Sequence, residues 1–184
     1  MSLTLVKEDG TGRADANSYA DVAEADDYYL GHLYATAWTG ATADQKTAAL
    51  VMATRLIDAE YQFNGTRTNA VQGLQWPRAK CPEPDNIHVP LAVLLPIPSD
   101  FVRYDSVPKA VVQATCEMAR ELLLVDRTAA PAGEGLKYAN VGGTQTGYDK
   151  TDRRQVLSRV AQVMLAKYGS QISAHSGAVR LQRV

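Results

Sequence analysis

The stretch "TADQKTAALVMATRLIDAE", residues 42–60, shows the clearest helical pattern in the chain. Thr42 and Gln45 have the spacing of a capping box, in which each side chain accepts a hydrogen bond from the other residue's backbone N–H. Apolar residues then recur at the spacing of a buried helix face: Ala49, Met52, Ala53, Leu56 and Ile57. The sequence therefore predicts an amphipathic helix that ends near residue 60.

Similar signals predict three further helices. Asp21 and Glu24 form a second capping box, and Pro108 suits the first turn of a helix because its missing N–H would be unpaired there. Gly169 follows a periodic segment and is a candidate C-terminal cap. Because each helix has one apolar face, we expect a mainly α protein built as a small antiparallel helical bundle. The predicted helices span residues 22–32, 43–60, 108–126 and 152–168.

The segments between these helices are irregular. Residues 61–107 form a long loop interrupted by prolines, and residues 129–149 are rich in Ala, Gly and Thr. Within the second segment, residues 136–141 alternate weakly in polarity before two glycines, which predicts either a mobile arm or a short β-hairpin arm. We assign residues 1–169 to one helical core that includes the loop and the arm. Residues 170–184 are assigned to an extended C-terminal tail.

The triplet Trp76-Pro77-Arg78 lies inside the long loop. Because a tryptophan ring is unfavourable in water and proline fixes φ, the triplet predicts an extended strap that packs on the helices. We expect the Trp76 ring to contact Leu56 and Met118. The candidate partners of the Arg78 guanidinium are Asp58, Glu60 or a neighbouring subunit.

Composition limits the class of protein. The 184 residues are 46% hydrophobic and 21% charged, as in ordinary globular domains, and no run approaches the roughly 20 apolar residues that cross a bilayer. The first residues lack the basic and apolar regions of a secretory signal, so we expect a cytoplasmic protein without membrane contact. Cys81 and Cys116 have no disulfide or metal-ligand spacing and are predicted to be reduced thiols.

The sequence has no recognisable catalytic, metal-binding or cofactor-binding motif. His32, His88 and His175 are widely separated, and the patterns H-x-x-x-H, C-x-x-C and G-x-S-x-G do not occur. The glycines in residues 142–147 are not followed by the Lys-Ser/Thr of a phosphate loop, which favours a flexible linker. We therefore predict a protein that is not an enzyme and that has no catalytic residue, metal or cofactor.

Charge is distributed unevenly along the chain. Residues 150–184 hold seven Lys/Arg and one acid, a net charge of +6, whereas residues 1–149 carry −7. The basic end could contact phosphate or dock as an extended peptide on an acidic protein, and its alternating apolar and basic residues favour docking. The candidate docking residues are Val179, Arg180, Leu181, Arg183 and Val184. The candidate charged interface consists of Arg153, Arg154 and Arg159.

An aromatic cluster lies in an acidic part of the chain and comprises Tyr28, Tyr29, Tyr34 and Trp38. Exposed aromatic rings can stack on the bases of single-stranded nucleic acid. The neighbouring Asp26 and Asp27 would repel phosphate, so packing in the core or in an interface is the favoured interpretation.

Six short motifs occur in the order Asn17-Ser18-Tyr19, Val22-Ala23-Glu24-Ala25-Asp26, Ala53-Thr54-Arg55-Leu56-Ile57-Asp58, Phe63-Asn64-Gly65-Thr66-Arg67, Leu74-Gln75-Trp76-Pro77-Arg78 and Val107-Pro108. Together they resemble the head–tail connector, or head-completion adaptor, proteins of tailed bacteriophages. The resemblance covers most of residues 17–125 and departs from that family in an expanded segment at residues 87–105. It implies a mainly helical structural adaptor.

The resemblance also implies partners. The protein would form a homo-oligomeric ring, often a dodecamer, under the portal protein in the neck of the virion, after assembly in the host cytoplasm. Its C-terminal arm would dock on the portal, and another face would receive tail, stopper or terminator proteins. DNA would pass through the ring without sequence-specific binding.

A second hypothesis is a single-stranded-DNA-binding module, because some members of this group are likened to a primosomal protein of that kind. In that case the strand would be bound by the aromatic cluster together with Arg153, Arg154 and Arg159. A steep loss of affinity with salt would distinguish this module from a structural adaptor.

Overall fold

The computed structural model describes residues 3–85, 101–129, 138–141, 144–147 and 155–172. Within these ranges the chain forms five helices and three two-stranded antiparallel sheets. The helices are α1 (Val22–Leu30), α2 (Thr36–Thr39), α3 (Ala43–Glu60), α4 (Lys109–Leu124) and α5 (Arg159–Leu165). The strands are β1 (Tyr61–Phe63), β2 (Thr66–Arg67), β3 (Arg78–Ala79), β4 (Tyr138–Val141), β5 (Thr144–Gly147) and β6 (Gly169–Gln171). The predicted mainly helical fold is confirmed. None of the helices in these ranges is long and apolar enough to cross a membrane.

Local capping fixes the start of two long helices. The Asp21 carboxylate accepts a hydrogen bond from the Glu24 amide at 2.9 Å, and the reciprocal bond completes the box. The Thr42 hydroxyl accepts from the Gln45 amide at 3.3 Å in the same arrangement. α4 follows Pro108. α1 and α3 begin at the predicted residues, and α4 begins one residue later than predicted because Pro108 is its N-cap rather than part of its first turn. All three helices end within two residues of the predicted ends, because their signals are local.

α4 is the central helix of the core, since it contacts both α3 and α5. The Thr115 hydroxyl on its buried face donates to the Val111 carbonyl at 2.9 Å, so this buried polar group is satisfied. Burying a large apolar side chain stabilises the fold by about 1.5–3 kcal/mol. The fully buried apolar residues of α3 and α4 are Leu50, Ala53, Ile57, Val111, Ala114, Met118 and Ala119.

The last helix differs from the prediction. α5 begins at Arg159 rather than near residue 152, because Ser158 is extended and its hydroxyl accepts a hydrogen bond from the Ala161 amide at 3.2 Å. Gly169 is not a helix cap, because it begins β6, which pairs with β1. A Cβ atom on Gly169 would lie 2.3 Å from the Gln62 carbonyl oxygen, so the close pairing of the strands requires glycine.

The strap is clamped by aromatic packing. Trp76 is fully buried, as predicted, and the peptide bond that follows it is cis. Its ring meets those of Phe63 and Tyr168 edge to face, with centroids 5.6 and 6.0 Å away. The expected neighbours Leu56 and Met118 belong to the same core cluster. The strap therefore joins β1 to the chain that follows α5.

A buried polar cluster holds the strap backbone. The Tyr19 hydroxyl accepts hydrogen bonds from the amides of Gln75 and Trp76 at 3.1 and 3.2 Å, and it donates to the Asp58 carboxylate. The second Asp58 oxygen accepts from the Gln75 amide at 3.0 Å. The strap amides thus find acceptors in side chains rather than in a sheet.

Arg78 is buried among backbone carbonyls, and its predicted ion pair with Asp58 or Glu60 is wrong. Its guanidinium donates to the carbonyls of Asn64 and Gly65, both at 2.7 Å, and to that of Gln75 at 3.1 Å. The Arg78 guanidinium thus binds carbonyls of the turn after β1 in place of the predicted carboxylates. Burial lowers the pKa of Arg78 from its usual value.

β4 and β5 form a β-hairpin, one of the two predicted conformations, with Tyr138 opposite Gly147 and Val141 opposite Thr144. The flexible linker expected at residues 142–147 is therefore wrong for residues 144–147, which form β5. The candidate docking residues at 179–184 lie outside the described residues, as do Arg153 and Arg154 and most of the 87–105 segment. The division of the chain into a core and a tail stays a prediction.

Candidate functional site

The N-terminal loop is built around a buried carboxylate. One oxygen of Glu8 accepts hydrogen bonds from the amides of Gly10 and Gly12, and the other accepts from the Arg13 amide, each at 2.9 Å. The two glycines have φ values of +98° and +74°, a region that favours residues without a Cβ atom. Charge-assisted hydrogen bonds to a carboxylate are stronger than neutral ones, so this loop has a defined shape.

Two contacts fix the N-terminal loop against other irregular segments. A Cβ atom on Gly10 would lie 2.1 Å from the Asp105 carbonyl oxygen, so the loop packs directly on the chain before α4. The Gly73 amide donates to the Arg13 carbonyl at 2.9 Å, which ties the loop to the chain before the strap.

A third connection joins the chain after the strap to the chain before α4. The Val102 amide donates to the Cys81 carbonyl at 2.9 Å, and Pro82 pairs with Phe101 in an isolated bridge. β2 and β3 pair with each other and link the turn after β1 to the chain after the strap. Backbone contacts thus join these irregular segments to one another, and we call their exposed side the loop surface: residues 9–15, 64–73, 79–82 and 101–107.

The loop surface presents aromatic rings to solvent. Tyr104 is 69% exposed and Phe101 is 45% exposed. Arg103 lies between them in the sequence, and its side chain is 78% exposed. An exposed ring beside a guanidinium can stack on a planar ligand while the cation contacts a neighbouring anion.

Four exposed cations lie on the loop surface, opposed by the acids Asp9, Asp15 and Asp105. Arg13 and Arg103 pair with Asp15 and Asp105 at 2.8 and 2.7 Å, and these hydrogen bonds lower the pKa of both carboxyl groups. Exposed ion pairs of this kind contribute little stability, so a stronger anion can displace the carboxylates. The four cations are Arg13, Arg67, Lys80 and Arg103.

Two of these cations form no ion pair with a carboxylate of the described residues. The Arg67 guanidinium donates to the Gln72 carbonyl, and Lys80 makes no ion pair within the described part of the chain. Lys80 also has a φ of +57°, a left-handed conformation that costs a non-glycine residue about 1–2 kcal/mol. The backbone therefore holds this lysine in a strained and fixed position.

The aromatic cluster predicted from sequence belongs mostly to the core, as the favoured interpretation states. Tyr29 and Trp38 are buried, with ring centroids 5.1 Å apart. The Tyr28 hydroxyl donates to Glu117 at 2.8 Å, which leaves Tyr34 as the exposed member, at 74%. Of the predicted basic interface, Arg159 is exposed on α5.

Sequence reasoning missed the residues of the loop surface. The stretch "FVRYD", residues 101–105, places two aromatic residues around an arginine, a pattern typical of single-strand binding. The prediction for residues 87–105 does not use this signal, because it treats them as an expanded segment of the long loop. Arg67 and Lys80 carry no such signal, because only the fold brings them to the same surface.

Comparison with protein-family models gives a match over nearly the whole chain. A family model described as "Putative DnaT-like ssDNA binding protein" matches residues 3–184. The chain belongs to this DnaT-like family. No curated protein and no solved structure matches the chain. Because the match extends over nearly the whole chain, it covers the loop surface and all five helices.

Membership of the DnaT-like family corrects the prediction of a phage head–tail connector. That prediction was wrong, and so were the portal, the tail, stopper or terminator proteins and the dodecameric ring that it implied as partners. The prediction of a head–tail connector depended on short motifs in residues 17–125, whereas the family model matches residues 3–184. The family match favours the second hypothesis.

Proposed function

We propose that this protein binds single-stranded DNA on its loop surface and that it acts by binding, without catalysis. Membership of the DnaT-like family carries the proposal. The exposed aromatic rings and cations of the loop surface support it, because single-strand binders combine stacking platforms with basic side chains.

Stacking on Tyr104 and Phe101 would supply much of the affinity. Each base stacked on an aromatic side chain contributes about 1–3 kcal/mol, and every base has a face that can stack. Most of the strand would therefore be bound without sequence preference. Phosphates would contact Lys80, Arg67 and Arg103, with Arg103 exchanging its exposed bond to Asp105 for a phosphate.

The number of cations on the loop surface sets the expected salt dependence. If all four cations contact phosphate, the slope of log K against log salt is about −2.8 for a single strand. Raising the salt from about 50 to about 200 mM would then weaken binding roughly 50-fold. A larger loss would require cations beyond the loop surface, such as those of the basic C-terminal end.

The test is fluorescence anisotropy with a fluorescein-labelled oligothymidine at several salt concentrations. We expect saturable binding in low salt, weak competition by duplex DNA, and about tenfold weaker binding for Tyr104→Ala. Tyr34→Ala is the matched control, because Tyr34 is equally exposed but lies between α1 and α2. Absence of binding at about 50 mM salt would refute the function, and equal effects of the two substitutions would refute the assigned surface.

A further inference from the structure

A cleft opens between α1 and the first half of α4, beside the loop surface. Its volume is about 460 Å³, within the roughly 300–1,000 Å³ usual for small-ligand sites. Val107 lines the cleft and is also the last residue of the loop surface, three positions after Tyr104. The residues that line it are Glu24, Asp27, Tyr28, Val107, Lys109, Val112, Gln113 and Cys116.

Some polar groups of the cleft are already engaged. Glu24 accepts a hydrogen bond from Lys7 and completes the capping box of α1. The Tyr28 hydroxyl donates to Glu117 at 2.8 Å, which leaves the aromatic ring as a wall of the cleft. These two residues therefore shape the cleft and offer a ligand little further hydrogen bonding.

Three polar side chains of the cleft remain available to a ligand. Asp27, Lys109 and Gln113 make no side-chain hydrogen bond or ion pair within the described ranges, and Asp27 and Lys109 are exposed. They offer a carboxylate that accepts, an ammonium that donates, and an amide that does both. Their charges sum to zero, so a neutral planar ligand with separate donor and acceptor edges fits better than a free anion or cation.

We propose, on the basis of the proposed DNA binding, that this cleft receives a guanine base of the bound strand. Of the four DNA bases, guanine alone presents two adjacent donors, N1–H and N2–H, which a carboxylate such as that of Asp27 can accept together. Its O6 and N7 acceptors suit the ammonium of Lys109. Val112 and the Tyr28 ring supply apolar walls for the flat faces of the base.

The position of the cleft agrees with this occupant. A strand stacked on Tyr104 passes the start of α4, where Val107 and Lys109 lead into the cleft. One base can then turn into the cleft while its neighbours stay on the loop surface. The result is a guanine preference at one position of an otherwise unselective site.

The experiment compares three labelled 12-nucleotide strands: oligothymidine, the same strand with one central guanine, and the same strand with one central hypoxanthine, which lacks the 2-amino group. We expect the guanine strand to bind about tenfold more tightly than oligothymidine, and hypoxanthine to lose most of that gain. Asp27→Asn should remove the preference without weakening the binding of oligothymidine, because the substitution also removes a carboxylate that repels phosphate. Asp44→Asn, which removes an exposed carboxylate at the start of α3, is the matched control and should keep the preference.

The outcomes separate the two proposals. If none of the strands binds, both the proposed function and the guanine site are overturned. If oligothymidine binds but guanine brings no gain, or if the gain survives Asp27→Asn, the guanine site is overturned and single-strand binding stands.

Discussion

Asp58 should make the protein less stable as the pH rises from about 4 to about 7. Its carboxylate lies under the strap and accepts hydrogen bonds from the Tyr19 hydroxyl and the Gln75 amide. Burial raises the pKa of Asp58 to about 6, and these hydrogen bonds oppose that effect only in part. In an unfolded chain the pKa of an aspartate is about 3.9. The difference corresponds to about 3 kcal/mol, because a tenfold change in proton affinity is about 1.4 kcal/mol.

The sign follows from which state holds the proton more tightly. The folded protein retains the Asp58 proton to a higher pH than the unfolded chain does, so protonation favours folding. This contribution is complete below about pH 4, falls as the pH rises, and is lost above about pH 6. The pKa values of the exposed Asp9, Asp15 and Asp105 are lowered, so these three groups make the folded protein more stable as the pH rises.

Urea unfolding followed by tryptophan fluorescence, at pH values from about 4 to 7.5, measures the effect. Asp58→Asn removes the titrating group. At about pH 4 the variant should be less stable by about 1–3 kcal/mol, because the asparagine NH₂ faces the Gln75 amide, whose hydrogen bond the Asp58 oxygen accepts, and the wild type should lose this advantage as the pH rises. The effect of the substituted amide on the stability of the variant itself does not depend on pH. The exposed aspartates are present in both proteins, so their effect on the pH dependence cancels in the comparison. The unfolding free energy of the wild type should therefore fall by about 3 kcal/mol relative to the variant across this range.

Parallel stability curves for the wild type and Asp58→Asn would refute the argument. Such a result would mean that the carboxylate is as well stabilised beneath the strap as it is in water. The Tyr19 and Gln75 hydrogen bonds would then compensate fully for burial.

Two further substitutions test particular backbone positions. Lys80→Gly should raise the unfolding free energy by about 1 kcal/mol, because glycine adopts a positive φ without strain. The same substitution should make the slope of log K against log salt for DNA binding shallower by about 0.7, because one cation is lost. Lys80→Gln should reduce the slope equally without the gain in stability, and an unchanged slope in both variants would exclude Lys80 from the DNA contact. Gly169→Ala should destabilise by about 2–3 kcal/mol in thermal unfolding, because its Cβ would meet the Gln62 carbonyl, whereas the exposed neighbour Ser170→Ala should be nearly neutral. Equal melting temperatures for these last two variants would contradict the close pairing of β1 with β6.

The long helices were predictable because their signals lie within a few residues. The capping boxes at Asp21 and Thr42 and the proline before α4 define the helix starts without reference to the rest of the chain. The start of α5 was harder to predict, because helical periodicity extends upstream of Ser158 while the hydroxyl cap at that residue fixes the real boundary. Gly169 gave a helix-stop signal, but its small size serves a contact with a strand more than 100 positions earlier.

The site was less predictable than the helices, because most of its residues come together through tertiary contacts. Tyr104 and Arg103 form a short aromatic and basic pattern that sequence reading can detect. Arg67 and Lys80 join them only through the pairing of β2 with β3 and the bond between Val102 and Cys81. Such contacts cannot be predicted from a sequence pattern, because nothing in one segment identifies the segment with which it pairs.

Buried polar side chains explain how such irregular segments can form a surface of defined shape. Glu8 satisfies three amides of the N-terminal loop, Arg78 satisfies three carbonyls around the strap, and Tyr19 accepts two strap amides. These hydrogen bonds order the loop backbone, as inter-strand hydrogen bonds order a sheet. They therefore fix the positions from which Arg13, Lys80 and their neighbours project. A surface ordered before binding loses less conformational entropy when a strand arrives. Under the proposed function, Arg78→Lys should therefore weaken the binding of labelled oligothymidine in the anisotropy assay although Arg78 is buried, because lysine cannot donate to three carbonyls as a planar guanidinium does. Unchanged affinity in this variant would contradict the argument.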